Sequence, residues 1–183
     1  MEDHVMLDKA LTFSKRAHAN QTRKYTGEEY FSHCLAVSDM IEEHLDENPH
    51  YTDPHGPSPV SVTVAMAVAL LHDVVEDTPF DHMDIREQFP DEVAKGVWFL
   101  TNTELFVGNR ALRKELDRDR LAKAPGWVKL IKKFDIEHNR ESIKKHVPKF
   151  YRIFKQETDE LLEAMGMHDD EYYNGPADIQ LAF

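Results

Sequence analysis

Apolar residues recur at helical spacing along most of the chain. Leu7, Ala10, Leu11, Phe13 and Ala17 form one stripe over 7–19, and Leu35, Val37, Met40 and Ile41 form another over 32–45. Recurrence every three or four residues is the mark of a helix with one buried face. The segment 64–71, Val-Ala-Met-Ala-Val-Ala-Leu-Leu, is apolar throughout. It has helical length and composition, and a helix apolar on all sides belongs inside a core. Thr78-Pro79 shortly beyond it reads as a stop. A short helix is predicted over 83–88. Phe89-Pro90-Asp91-Glu92-Val93 reads as the start of another, reaching about Leu100. A charged helix is predicted over 111–123, broken at Pro125-Gly126. A further helix over 127–139 places Val128, Ile131 and Asp135 on one face, and a last one covers 150–165. No segment shows sustained period-two alternation, so the expectation is an all-α bundle of about seven helices.

Between these elements, 20–30 is polar, with Arg23-Lys24 and a turn at Thr26-Gly27. Residues 46–59 are rich in Pro, His, Asp and Gly and read as a surface loop. A length of 183 residues suits a single core. We expect one domain over 1–165 and an acidic, polar tail over 166–183.

Composition narrows the class. Cys34 is the single cysteine, which excludes an internal disulfide framework and fits a reducing cytoplasm. The start, Met1-Glu2-Asp3-His4, lacks the basic-then-apolar pattern of a signal peptide. The apolar run 64–71 is far shorter than the roughly 20 residues a membrane span needs. A cytoplasmic protein without a membrane partner is therefore expected. The net charge of −12 argues against broad binding of nucleic acid. A small phosphorylated ligand remains compatible, because it needs only a few cations and a metal in one cleft.

The six residues His72-Asp73-Val74-Val75-Glu76-Asp77 carry the chemistry. Continued as a helix, they stack His72 over Glu76 and Asp73 over Asp77. Three acids then crowd a helix C-terminus, where the macrodipole favours cations and like charges repel. Stability gives no reason for this, whereas a divalent cation reverses the local electrostatics. His72 and Asp73, adjacent at a helix end, are natural ligands for such an ion. His33, where the second helix begins, and Asp135, on an otherwise apolar stripe, are candidates to join them from other elements. Each also has a plainer reading: His33 as an ordinary surface or core histidine, and Asp135 as a partner of Lys132 or Arg140.

Several ordered segments resemble the HD-domain metal phosphohydrolases, and more closely the hydrolase domain of the RelA/SpoT alarmone enzymes and the small stand-alone alarmone hydrolases. These are Ala17-His18-Ala19-Asn20-Gln21-Thr22-Arg23-Lys24, Glu29-Tyr30-Phe31-Ser32-His33, the run from Ala69 to Thr78 that contains His72-Asp73, Phe89-Pro90-Asp91-Glu92-Val93-Ala94 with Leu100-Thr101, and the run from Lys129 to Asn139. Departures are Glu29 where proline is usual, and Ile136 and Asn102 where basic residues are usual. The last two remove positive charge from near the expected substrate.

The resemblance implies an HD-domain bundle around one metal site, with His33, His72, Asp73 and Asp135 holding Mn²⁺. The donor chemistry alone also allows Fe, Co or Zn. It implies that Glu76 and Asp77 orient or deprotonate the attacking water and assist the leaving alcohol. Arg23 and Lys24 would flank a nucleotide, and Asn139 and Thr101 would contact it. The implied reaction is hydrolysis of ppGpp or pppGpp to GDP or GTP and pyrophosphate, with no synthetase domain following. Plainer readings stand beside these: Lys24 a solvated charge, Arg23 a structural ion-pair partner, Asn139 a helix cap and Thr101 a helix terminator. His138, three residues after Asp135, is a further group able to approach the ion, and His18 adds another imidazole to the family's opening motif. Two other activities remain in view: an HD-domain phosphatase acting on a deoxynucleotide or an NADPH-like compound, and a non-catalytic nucleotide sensor.

Overall fold

The computed structural model describes residues 2–48 and 61–167. Among these residues nine helices follow in order: α1 (Asp3–Ala17), α2 (Phe31–Glu47), α3 (Val62–Leu71), α4 (Val74–Asp77), α5 (His82–Gln88), α6 (Asp91–Leu100), α7 (Arg110–Ala122), α8 (Gly126–His146) and α9 (Pro148–Met165). Among the described residues there is no strand, only an isolated bridge between Thr22 and Glu29. The all-α expectation holds. The loop expected over 46–59 and the tail expected over 166–183 lie almost wholly outside the described residues. Met167 is an exception: it is fully buried in the core, so the packed domain runs slightly past 165.

Burial explains the centre of the bundle. Every residue from Val64 to Leu71 is buried, and α3 packs against α1, α2, α6 and α8. Burying each Leu or Val side chain contributes about 1.5–3 kcal/mol relative to exposure, so α3 anchors the fold. Its approach to α6 is close at Gly96. A Cβ there would lie 2.8 Å from both the Trp127 ring of α8 and a methyl of Val68.

Local signals set the helix ends. Asp81 and Asp84 form a reciprocal capping box that starts α5. Asn109 accepts from Leu112 N at the head of α7. Pro148 opens α9, and Gly166 ends it in the left-handed conformation at φ 71°, with Met167 N bonding back to Leu162 O.

The main departure from the sequence reading lies after α3. The helix does not run unbroken through the six-residue motif: α3 stops at Leu71, His72 and Asp73 form a turn, and α4 resumes at Val74. Asp77 N still bonds to Asp73 O at 2.9 Å. The helical stacking of Asp73 and Asp77 is therefore kept, and His72 and Asp73 stay in the right-handed helical region. α8 also runs to His146, a full two turns beyond Asn139.

Candidate metal centre

Three long-range elements bring four side chains to one point. His33 stands in the first turn of α2, His72 caps α3, Asp73 bridges α3 and α4, and Asp135 lies midway along α8. His33 Nε2 is 3.1 Å from Asp135 Oδ1 and 3.6 Å from Asp73 Oδ2. His72 Nε2 is 3.0 Å from Asp73 Oδ2 and 3.7 Å from Asp135 Oδ1. Both imidazoles and Asp135 are buried.

The hydrogen bonding of these groups fits a cation. His72 Nδ1 lies 2.7 Å from Ala69 O. A carbonyl only accepts, so Nδ1 carries the proton and the neutral ring presents a lone pair at Nε2. That Nε2 is buried and has no hydrogen-bond partner among the described residues. It faces carboxylate oxygens, and a lone pair aimed at an anion needs a proton or a cation between them. Burial disfavours the imidazolium of His72, yet Asp73 and Asp135 overcome this and push its pKa well above the ordinary value. Burial likewise opposes ionisation of Asp73 and Asp135, but His72 beside the first, and Lys132 with His33 beside the second, hold both well below the usual carboxylate range. The centre is thus two ionised carboxylates and two imidazoles, a donor set suited to a divalent transition metal.

Surrounding groups fix these four. Lys132 Nζ donates to Asp135 Oδ2 at 2.8 Å, and Asn139 Nδ2 donates to Asp135 Oδ1 at 2.7 Å. The acid on the apolar stripe is therefore paired with Lys132, while Arg140 turns to Thr158 and Asp159. Arg23 donates to Asn139 Oδ1 at 3.0 Å, which ties the 20–30 segment to α8. His138 joins through its ring: its Nδ1 lies 2.9 Å from His33 Nδ1, on the side away from the centre. Tyr30 is the group that local sequence reasoning overlooked. Its hydroxyl lies 2.8 Å from Asp73 Oδ2 and 2.7 Å from Asp77 Oδ2, and shares one proton between two acids. No local pattern reveals this, since the partners lie 43 and 47 residues away.

Glu76 stands at the rim, where Asn102 Nδ2 donates to both its oxygens at 2.7 Å. Burial and the nearby Asp73 raise the pKa of Glu76 and of Asp77. Other sequence candidates fall outside this cluster. Lys24 is exposed, with its ammonium 5.5 Å from the Tyr25 ring centre. Thr101 ends α6, its hydroxyl donating to Val97 O, and lines an adjoining hollow rather than the centre itself. His18 stacks on Tyr30 at 4.9 Å and pairs with Gln21, whose amide reaches Asp77 O.

The HD-domain family pattern matches residues 10–105, more than half of the chain and the part that carries His33, His72 and Asp73. The chain belongs to the HD-domain family. It is 30% identical over 146 residues to the GTP pyrophosphokinase rsh of Brucella ovis, taking in 77% of this chain and 17% of that protein. It is 31% identical over 159 residues to the guanosine-3′,5′-bis(diphosphate) 3′-pyrophosphohydrolase of Haemophilus influenzae, covering 81% and 20%. Over 186 residues it is 30% identical to the bifunctional (p)ppGpp synthase/hydrolase SpoT of Escherichia coli, covering 91% and 23%. The chain thus spans about a fifth of the length of these curated relatives. A solved structure of a metazoan ortholog of SpoT, described as hydrolysing ppGpp, aligns with a TM-score of 0.65 at 22% identity, over 89% of this chain and 97% of that one. At that identity the likeness establishes a shared fold.

In this HD domain the centre opens onto a cleft of about 270 Å³. Its lining includes Asp73, Glu76 and Asp135, the aromatic rings of Phe150 and Phe154 of α9, and Arg110, Lys114 and Arg118 of α7 with the acids Asp117 and Glu157 among them. From sequence α7 reads only as a charged helix. In the structure α7 packs against α9, and these cations line the cleft. No helix among the described residues is long and apolar enough to cross a membrane.

Proposed function

We propose that this chain is a metal-dependent nucleotide phosphohydrolase, and that its reaction is removal of the 3′-diphosphate from ppGpp or pppGpp. The observation that carries the reading is His72 Nε2, buried and without a hydrogen-bond partner among the described residues, 3.0 Å from Asp73 Oδ2 and 3.7 Å from Asp135 Oδ1, with the imidazole of His33 on the same two carboxylates. His33, His72, Asp73 and Asp135 would hold the ion, with Mn²⁺ as the proposed metal and the cytoplasm as the proposed setting. The relatives named for ppGpp hydrolysis supply the substrate class, and the aromatic and basic side chains in the cleft lining suit a nucleotide.

When bound, the ion supplies Lewis acidity toward a phosphoryl oxygen and a lowered pKa for water. The chain's own groups do the rest. Glu76, held by Asn102 and kept more basic than an ordinary carboxylate by burial and by Asp73, accepts a proton from the attacking water. Asp77, oriented by Tyr30, assists the proton that reaches the departing ribose oxygen. The water oxygen bonds to the proximal 3′-phosphorus, the bond from that phosphorus to the ribose 3′-oxygen breaks, and pyrophosphate leaves. Arg23, through Asn139, steadies Asp135 and borders the nucleotide, and Lys24 and Thr101 are proposed to reach it from the rim.

The test is product analysis. Mn²⁺-loaded protein given ppGpp should release pyrophosphate and GDP in equal amounts, and Asp73→Ala should release neither. Glu76→Gln should keep the metal but lose about 10²–10⁴-fold in turnover. Inorganic phosphate in place of pyrophosphate would indicate a different phosphatase on this scaffold, and no turnover with metal bound would overturn the reading.

A further inference from the structure

The basic residues usual in this group at positions 102 and 136 are absent here. Asn102 is spent on Glu76, and Ile136 is a buried apolar side chain. In a chain of net charge −12, the cations lining the cleft are therefore conspicuous. Most are already committed. Arg110 grips Glu157 through Nε at 2.9 Å and Nη2 at 2.6 Å. Arg118 reaches Glu160 at 3.3 Å, and Lys132 holds Asp135. Asp117, the nearby acid, accepts from Thr103 N, Thr103 Oγ1 and Arg120. Lys114 alone among these cleft cations makes no hydrogen bond or ion pair within the described residues, although it is half-buried.

We propose that Lys114 binds a second phosphoryl group of the nucleotide, remote from the one that is cleaved. The inference rests on the nucleotide reading above and assigns the cation that would discriminate a substrate phosphorylated at two places from one phosphorylated at one. Burial and the repulsion of Lys132 lower the pKa of Lys114 against the pull of Asp117 and Glu157, and both of those acids are already bonded to other donors. An anion relieves that repulsion. A phosphate fits, since a lysine ammonium is a point charge that phosphate oxygens satisfy well. Arg110 stands one turn before Lys114 on α7 and keeps Nη1 clear of its pair with Glu157, so it can share the same phosphate.

The test uses the full-length, metal-loaded chain and guanosine 5′-diphosphate as probe, by titration calorimetry, with the Michaelis constant for ppGpp measured in parallel. Lys114→Ala should weaken the probe and raise that constant, each by about ten- to hundredfold, the loss expected for one charge-assisted contact. Lys114→Arg should restore most of both, and Lys144→Ala, an exposed lysine far along α8, should change neither. The thermal midpoint of Lys114→Ala should stay level or rise, because an unpaired cation is removed. Unchanged probe affinity in Lys114→Ala, failure of the wild type to bind the probe, or a fall in midpoint would overturn the proposal. If ppGpp is not turned over but the probe still depends on Lys114, the phosphate site stands and the proposed reaction falls. Turnover of ppGpp with no dependence on Lys114 does the reverse.

Discussion

His33 and His138 meet ring to ring, Nδ1 to Nδ1 at 2.9 Å, across 105 residues of sequence. One proton lies between the two nitrogens. With His33 Nε2 turned to the proposed metal centre, that proton sits on His33, and His138 accepts. The low pKa of His138, pushed down to about 4 by burial and by His33, keeps it neutral and able to do so. Histidine ligands are held in the right tautomer by such outer partners, whose loss typically costs 10–100-fold in metal affinity. His138→Phe should therefore bind Mn²⁺ about 10–100-fold more weakly in competition with a chelator, and a fall below threefold would show that His33 needs no such support.

Tyr30 gives a second handle. Its hydroxyl supports Asp77 in its ionised form, so removing it raises the Asp77 pKa. Tyr30→Phe should shift the acid limb of the turnover profile to higher pH. It should also lower metal-free stability by about 1–3 kcal/mol, because Asp73 and Asp77 then face each other without a donor. An unmoved acid limb would remove Asp77 from the protonation that matters.

Binding a cation only in the folded state should stabilise the fold. At a free metal concentration 100 times its dissociation constant the gain is about 2.7 kcal/mol. For a chain of this size that is about 5–10 °C in the thermal midpoint. Addition of Mn²⁺ should produce that rise in the wild type and none in Asp135→Asn, with the chelated wild type as baseline. Equal shifts in both proteins would place the ion elsewhere.

The Arg110–Glu157 pair between α7 and α9 should act as an acid-sensitive clasp. The hydrogen bonds from Arg110 hold the Glu157 carboxyl below its ordinary value of 4.5. A folded-state pKa below the unfolded one stabilises at pH values above the unfolded pKa and is lost as pH falls through the folded one. Glu157→Gln should therefore lie below the wild type in thermal midpoint near neutrality, and the gap should close as pH drops below about 4.5. A gap that widens in acid would contradict the sign.

Gly96→Ala tests the packing of the central helices. Its methyl would press on Trp127 and Val68 at 2.8 Å, with α6 locked against α3 and α8. Overpacking of this kind costs about 1–3 kcal/mol, or a fall of about 2–12 °C in midpoint, readable by circular dichroism. A neutral or stabilising outcome would mean that the α3–α6 crossing is looser than described.

Much of this protein was legible along the chain. Helical spacing in 7–19 and 32–45 and the apolar run 64–71 specify an all-α core, because a stripe of apolar residues can be buried only one way. The acids at 73, 76 and 77 point to a cation, because like charges repel at a helix end where the macrodipole favours positive charge. Periodicity marked Asp135 as an acid on an apolar stripe, His33 stood at a helix start, and motif order joined both to His72 and Asp73. The break between Leu71 and Val74, the shared proton of Tyr30 and the His33–His138 contact were decided only by tertiary structure. So was the place of Lys114 in the cleft lining and of Lys24 beside the Tyr25 ring. Short-range patterns record which face of a helix is buried. They carry no record of which distant helix lies against that face, and it is the packing of α2, α7, α8 and α9 around α3 and α4 that sets the distances on which the chemistry depends.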